Sequence, residues 1–318
     1  MENARQGIGR PTGTGNAAAE PGIAAMEKQV LGTKVEIKLP IRHSPFFPLC
    51  FSELERIEKA YSRFLPGSEL TRLNGRLGIW QDASQELLAL VEMAGEFKTK
   101  TDGNFDITLK SRLDDLGYDS QYSFERKKPG MDILGAFRRF LPAIKTDQAN
   151  GKILLNRQIE FGGLGKGYAL DCVARLLEKN CVEHYYINAG GDIYARKGKS
   201  GAEKPWEILL EHPDDPERAI GKISLDGKSI AGSAPNRRKW GDSHHLLNAR
   251  TGMPARGVKC IFIIAKTGIE ADAYATALFT AGFEQGIGLS KKLPVEILVV
   301  SSQDKMYQSP GFGAELFG

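Results

Sequence analysis

The sequence predicts an α+β fold built on a mixed or antiparallel sheet. Two observations carry this: strand-like and helical runs are interspersed, and they do so without the regular βαβ alternation of a doubly wound parallel sheet. No fixed repeat period runs through the chain. The first strand is Thr33-Lys34-Val35-Glu36-Ile37-Lys38-Leu39, where polar and apolar residues alternate until Pro40 ends it. From Pro48 to Phe64, Phe51, Leu54, Ile57, Ala60, Tyr61 and Phe64 recur at three- and four-residue spacing, the pattern of one apolar helical face. Pro66 and Gly67 stop that helix. A second amphipathic helix is predicted from about Ser84 to Thr99, with Asp82 or Ser84 as its N-cap and Asp102-Gly103 after its end. Residues 119–129 are polar and rich in Lys and Arg, which predicts an exposed excursion.

Lys152-Ile153-Leu154-Leu155 reads as a strand. It leads into Glu160-Phe161-Gly162-Gly163-Leu164-Gly165-Lys166-Gly167 and a helical pattern from Tyr168 to Asn180. Tyr185 to Asn188 and Asp192 to Arg196, parted by Ala189-Gly190-Gly191, read as hairpin strands, with Trp206 to Glu211 as the next strand. The C-terminal third offers a strand from Val258 to Ala265, a helix from Glu270 to about Ala281 ended by Gly282, and a strand from Val295 to Val300.

With 318 residues the chain forms one large domain or two small ones. The charged residues, 43 basic against 39 acidic, leave a net charge of +4, which argues against a strongly basic nucleic-acid binder. No apolar run approaches the roughly 18 residues of a membrane helix. The four cysteines are scattered, with no CxxC pair, so neither a disulfide scaffold nor a zinc site is expected. The first 28 residues read as a disordered tail without a secretory or lipoprotein leader, which predicts a cytoplasmic protein.

Three constellations could carry chemistry. The Gly-rich segment offers unobstructed backbone N–H groups at a helix start, suited to phosphate, or else a tight turn packed against a sheet. Its spacing fits neither a Walker A loop nor GxGxxG. Asp272 and Thr276, four apart in a helix of small residues, present two hard oxygens from one face, suited to Mg²⁺, or else form a helix-start Asp with a back-bonding Thr. As a helix-surface carboxylate, Asp272 is expected to add little to the core. His244 and His245 could supply a donor or general base, or only satisfy a loop, and Arg237-Arg238-Lys239 could approach an anion.

Taken in order over about residues 31 to 285, several segments resemble the ApbE family of FAD:protein FMN transferases. They are Leu31-Gly32-Thr33; Ser62-Arg63-Phe64 with Ser68-Glu69-Leu70 and Arg72-Leu73-Asn74; Thr101 to Thr108; the Gly-rich segment to Asp171; Asn188-Ala189-Gly190-Gly191-Asp192; His245 to Gly252; and Glu270 to Ala277. The resemblance implies one T-fold-like α+β domain over residues 29–318. It implies FAD as substrate and Mg²⁺ as cofactor, with FMN passed to a Ser or Thr of a reductase-type partner flavoprotein and AMP released. By the same resemblance, Asp272, Thr276 and the Gly163 carbonyl hold the metal, and Leu31, Phe64, Asn104, Phe105, Asp106, Glu160, Lys166 and His245 contact FAD. Lys166 would face developing charge and His245 would act as base. The chain departs from the family pattern with Leu31 for Met, Glu160 for Asp, Gly232-Ser233-Ala234 for Thr-Ser-Gly and Asn248-Ala249 for Asp-Pro. Two alternatives are an FAD pyrophosphatase, with water as acceptor, and a catalytically silent FAD-binding protein.

Overall fold

Strand-length apolar runs and one almost wholly apolar helix set the architecture, which a computed structural model describes over residues 22–126, 140–199 and 204–317. In chain order the strands are β1 (Ile23–Val30), β2 (Thr33–Pro40), β3 (Trp80–Asp82), β4 (Ile144–Asp147), β5 (Lys152–Leu155), β6 (Tyr185–Ala189), β7 (Asp192–Arg196), β8 (Trp206–Glu211), β9 (Ala219–Leu225), β10 (Lys228–Ser233), β11 (Lys239–Trp240), β12 (Ser243–His244), β13 (Val258–Ala265), β14 (Glu296–Ser301), β15 (Met306–Gln308) and β16 (Glu315–Leu316). The α-helices are α1 (Phe47–Tyr61), α2 (Glu69–Asn74), α3 (Gln85–Lys100), α4 (Lys110–Asp115), α5 (Gly165–Lys179), α6 (Gly268–Ala281) and α7 (Phe283–Ser290).

Eight strands form the main sheet in the order β1-β2-β6-β7-β10-β13-β14-β15, and every pairing in it is antiparallel. Both faces of its centre are covered. Ile261 and Ile263 of β13 and Ile297 and Val299 of β14 join the core under the helices. Their alternate neighbours Cys260, Ile264, Leu298 and Val300 join a second core. That second core is closed by the small sheet β16-β9-β8, which brings Ile208, Leu210, Ile223 and Leu225. Burial on both sides is why residues 260–265 of β13 and 297–300 of β14 read as unbroken apolar runs.

Helices α1, α3, α5 and α6 pack over the other face. Ser84 is the N-cap of α3, its hydroxyl accepting from the Leu87 amide at 3.2 Å. Glu86 ties three helices together, accepting from Arg56, Tyr61 and Tyr168. Those bonds, that of Arg56 foremost, hold its carboxyl down at about 2. Helix α6 is buried almost all round, from Ile269 to Thr280, so it is the central helix of the domain and carries no amphipathic stripe.

Two boundaries differ from the sequence reading. The tail expected to reach residue 28 is cut short by β1, which pairs with β2 along its whole length; residues 1–21 of that tail lie outside the described residues. β1 is an edge strand with mostly exposed side chains, so its sequence lacks the alternation that burial imposes. Helix α1 ends at Tyr61 rather than Phe64, which releases Arg63 and Phe64 from the helical face. Of the expected excursion, residues 120–126 are exposed while Asp119 is buried, and residues 127–129 lie outside the described residues. Among the described residues no helix is long and apolar enough to cross a membrane.

Candidate functional site

The glycines of the Gly-rich segment are explained first by a helix crossing. A Cβ on Gly167 would lie 2.1 Å from the Gly268 carbonyl oxygen, and one on Gly268 would lie 2.4 Å from that of Gly167. The segment is therefore packed against a helix, α6, and not against a sheet as one sequence reading had it. Asp171 locks the crossing: its carboxylate accepts from the amides of Gly268 at 2.6 Å and Ile269 at 2.9 Å. Burial pushes the Asp171 carboxyl up to about 6, with those two bonds working the other way.

The crossing presses the first turn of α5 against Asp272. Its carboxylate accepts from the Gly167 amide at 3.1 Å, and both its oxygens stand 3.4 Å from the Lys166 ammonium. Asp272 is 4 % exposed, so it is a buried group and not the helix-surface carboxylate that the small-residue pattern suggests. Burial raises its pKa while Lys166 opposes the rise. Lys166 is half-buried. Burial alone would lower its pKa, but the Asp192 and Asp272 carboxylates outweigh that and raise it.

Thr276 sits one turn along α6, beside Gly163. A Cβ at Gly163 would fall 3.0 Å from the Thr276 hydroxyl oxygen and 3.2 Å from the Phe105 ring, so only glycine leaves this space open. A buried carboxylate, a hydroxyl and an adjacent backbone make an oxygen-only donor set that fits a hard divalent cation such as Mg²⁺. Among the described residues no group of three or more His, Cys, Asp or Glu is placed to hold a metal ion, so the donors here are one carboxylate with hydroxyl and backbone oxygens.

The structure lays the 104–106 stretch alongside this centre. The Glu160 amide donates to the Ile107 carbonyl at 2.8 Å, and the Glu160 carboxylate curls back to accept from the Gly162 amide at 2.6 Å. The Asn104 side-chain amide donates to the Thr101 carbonyl at 2.9 Å, and the Asn104 main-chain carbonyl accepts from the Thr280 hydroxyl of α6 at 3.0 Å. Phe105 is buried against Phe97. Asp106 pairs with Lys98 at 2.7 Å and accepts from the Thr108 amide. Leu31 takes φ +59° in the β1–β2 turn, and Thr33, which opens β2, meets Gly190 of the β6–β7 turn. Leu31 is not among the contacts of Lys166 or Asp272.

A second group gathers around His245. Phe64 stacks on Tyr122 at 5.0 Å, Tyr118 on Trp240 at 5.6 Å, and the His245 ring lies 6.3 Å from Tyr118. A groove of about 500 Å³ opens beside Phe64, between Arg63, Asn74, Lys110 and Gln158. Burial, then the charges of Arg238 and His244, hold the His245 pKa well below its ordinary value, and Lys166 adds to this. Its Nδ1 is buried without a hydrogen-bond partner. Arg238 also works against the rise of the Lys166 pKa, so these groups share one electrostatic field.

The two adjacent histidines have different roles. His244 is spent on the fold: Nε2 lies 2.9 Å from the Ala255 carbonyl and Nδ1 accepts from the Leu246 amide at 3.2 Å. The carbonyl requires a proton on Nε2 and the amide a lone pair on Nδ1, so the ring is neutral. Burial lowers its pKa from 6.5. Below 6.5 the unfolded chain therefore binds more protons, and stability present above that pH is lost as pH falls toward the lowered value. His244→Gln, which keeps one donor and one acceptor, is expected to lack this loss. Between about pH 7.5 and 5.5, thermal melts should show wild type weakening relative to the variant by up to about 1.4 kcal/mol per pH unit. A gap independent of pH would contradict the neutral assignment.

Sequence patterns assign no role to Asp192, Asp171, Tyr118 or Trp240, although Asp192 and Asp171 end two of the segments that resemble the family. Asn248, found where the family pattern has Asp, donates its amide to the Thr280 carbonyl at 3.1 Å and accepts from the amides of Arg250 and Thr251. An aspartate there would turn an acceptor toward that carbonyl, so asparagine suits this loop.

Comparison with known proteins bears on the family and the fold. The sequence model of the ApbE family matches residues 31–299. The FAD:protein FMN transferase of Escherichia coli (strain K12) is 24% identical, over 96% of this chain and 87% of that protein. That of Klebsiella pneumoniae (strain 342) is 26% identical, over 84% and 81%. The crystal structure of the ApbE protein from Thermotoga maritima superposes with a TM-score of 0.81 at 26% identity, covering 91% of this chain and 98% of that one. The flavin transferase ApbE from Vibrio cholerae gives 0.76 at 22% identity, over 91% and 98%.

Proposed function

Because the chain belongs to the ApbE family, we propose that it is an FAD:protein FMN transferase, moving FMN from FAD to a Ser or Thr hydroxyl of an acceptor protein and releasing AMP. The observation that carries the reading is the meeting of Lys166, Asp272, Thr276 and Gly163 at the α5–α6 crossing. In this reading Asp272, Thr276 and the Gly163 carbonyl hold Mg²⁺, which when bound neutralises pyrophosphate oxygens and lowers the cost of charge on the departing phosphate.

The chemistry left to the chain follows from its charges. The acceptor hydroxyl oxygen forms a bond to the FMN-side phosphorus, the bridging P–O bond breaks, and AMP leaves with the electron pair. Lys166, kept cationic by its two carboxylates, offsets the charge that develops on phosphate. His245, neutral at ordinary pH, presents an unpartnered buried Nδ1 able to take the hydroxyl proton. The aromatic group around Phe64 and Tyr118 offers a stacking surface for the planar isoalloxazine.

The test is incubation of the purified chain with FAD and Mg²⁺, with and without acceptor protein, following AMP, FMN and protein-bound flavin by mass spectrometry. AMP together with acceptor-bound FMN supports the transferase. AMP with only free FMN would replace it by the pyrophosphatase, and intact retained FAD by a binding protein. His245→Ala is expected to slow transfer by about 10² to 10⁴-fold while FAD still binds. A wild-type rate in that variant removes His245 from the mechanism.

A further inference from the structure

We infer that Asp192 is the positioning residue of this site: it holds the Lys166 ammonium so that Asp272 is left free for the divalent cation. The inference rests on the reading of Asp272 as a metal ligand and goes beyond it. The local sequence makes Asp192 rigid. Ala189-Gly190-Gly191-Asp192 closes the β6–β7 hairpin with Ala189 opposite Asp192, and φ is +64° at Gly190 and +99° at Gly191. Two successive residues at positive φ are what a type I′ turn requires, and they fix the start of β7. The Asn188 side chain braces the turn, accepting from the Gly191 amide at 2.8 Å.

Asp192 is 3 % exposed and forms its ion pair with Lys166 from that fixed backbone. Lys166 lies in direct contact with Asp192 but 3.4 Å from each Asp272 oxygen, so Asp192 is the close partner and Asp272 the loose one. This asymmetry matters because two carboxylates share one ammonium. If Lys166 depended on Asp272 alone, a cation arriving at Asp272 would have to displace it. With Asp192 present, Lys166 keeps a buried counter-ion when Asp272 turns to a metal, and is not left half-buried and unpaired.

The test uses the full chain and Mg²⁺ alone, by isothermal titration calorimetry, with thermal melts as a check on folding. Asp192→Asn is expected to weaken Mg²⁺ binding by about tenfold or more, because Lys166 then settles on Asp272. Lys166→Met is expected to tighten it, and Asp192→Asn with Lys166→Met to bind at least as tightly as wild type, because no ammonium is left to settle on Asp272. A merely structural role for Asp192 would lower the melting temperature without this rescue. Unchanged affinity in Asp192→Asn overturns the inference, and so does a double variant as weak as Asp192→Asn. If Asp192→Asn does not fold, Lys166→Met decides, and weaker Mg²⁺ binding in it would overturn the inference. Asp272→Ala separates the two levels: Mg²⁺ binding equal to wild type in that variant sinks the metal reading itself.

Discussion

Asp272→Ala is expected to reduce Mg²⁺-dependent AMP release from FAD by about 10³-fold or more, the scale of the several kcal/mol that a bound metal contributes to phosphate transfer. Three losses coincide in one substitution. The proposed cation loses its carboxylate, the Gly167 amide loses its acceptor, and Lys166 loses one of two counter-ions. The fold should nonetheless survive, because Lys166 keeps Asp192 and because Asp272 is itself costly to ionise in its buried place. Asp272→Asn sharpens the point. It preserves shape and can still accept from Gly167, so it should melt near wild type while its turnover falls as far as that of the alanine variant. Retention of more than about a tenth of wild-type AMP release in either variant would remove Asp272 from the metal site.

The residues that sequence patterns exposed are those whose burial is one-sided or complete. Helices α1 and α3 showed their apolar faces, and β13 and β14 their continuous apolar runs, because the environment imposed a period on them. β1 gave no such signal, since an edge strand with exposed Glu27, Lys28 and Gln29 carries no buried face. Short strands such as β3 and β16 are held by pairing with distant chain and carry no period of their own.

The site divides along the same line. Asp272 and Thr276 could be paired from sequence because a helix sets their spacing. Asp192 could not be given a role, because its partner Lys166 stands 26 residues before it and Asp272, the other carboxylate on that ammonium, 106 residues beyond Lys166. The α5–α6 crossing brings Lys166 to Asp272, and the packing of β7 against α5 brings Asp192 to the same ammonium. The aromatic group was hidden for a further reason: Phe64 read as the last residue of a helical face, whereas the helix stops at Tyr61 and frees the ring to stack on Tyr122. The paired histidines looked equivalent, and only their neighbours in space separate a ring committed to Ala255 and Leu246 from one with a free nitrogen.

Gly167→Ala is expected to destabilise the chain by about 3 kcal/mol or more, which lowers the melting temperature by about 5 °C or more for a chain of this size. The added methyl would meet the Gly268 carbonyl oxygen at 2.1 Å, its carbon at 2.4 Å and the Ile269 Cα at 2.8 Å. All three are backbone atoms, so no side-chain rotation relieves the clash and the two helix starts must part. Parting them strains the Asp171 cap on Gly268 and Ile269 and the Gly167 bond to Asp272. Turnover should therefore fall together with stability. Gly165→Ala, two residues earlier in the same helix, is the matched control. Its methyl would find the Phe161 Cβ at 3.7 Å, an ordinary contact, and it removes glycine's entropy from a helix. That variant should melt within about 2 °C of wild type or slightly above it. If both variants melt alike, the close crossing of α5 and α6 is wrong, and with it the geometric basis for placing Lys166 beside Asp272.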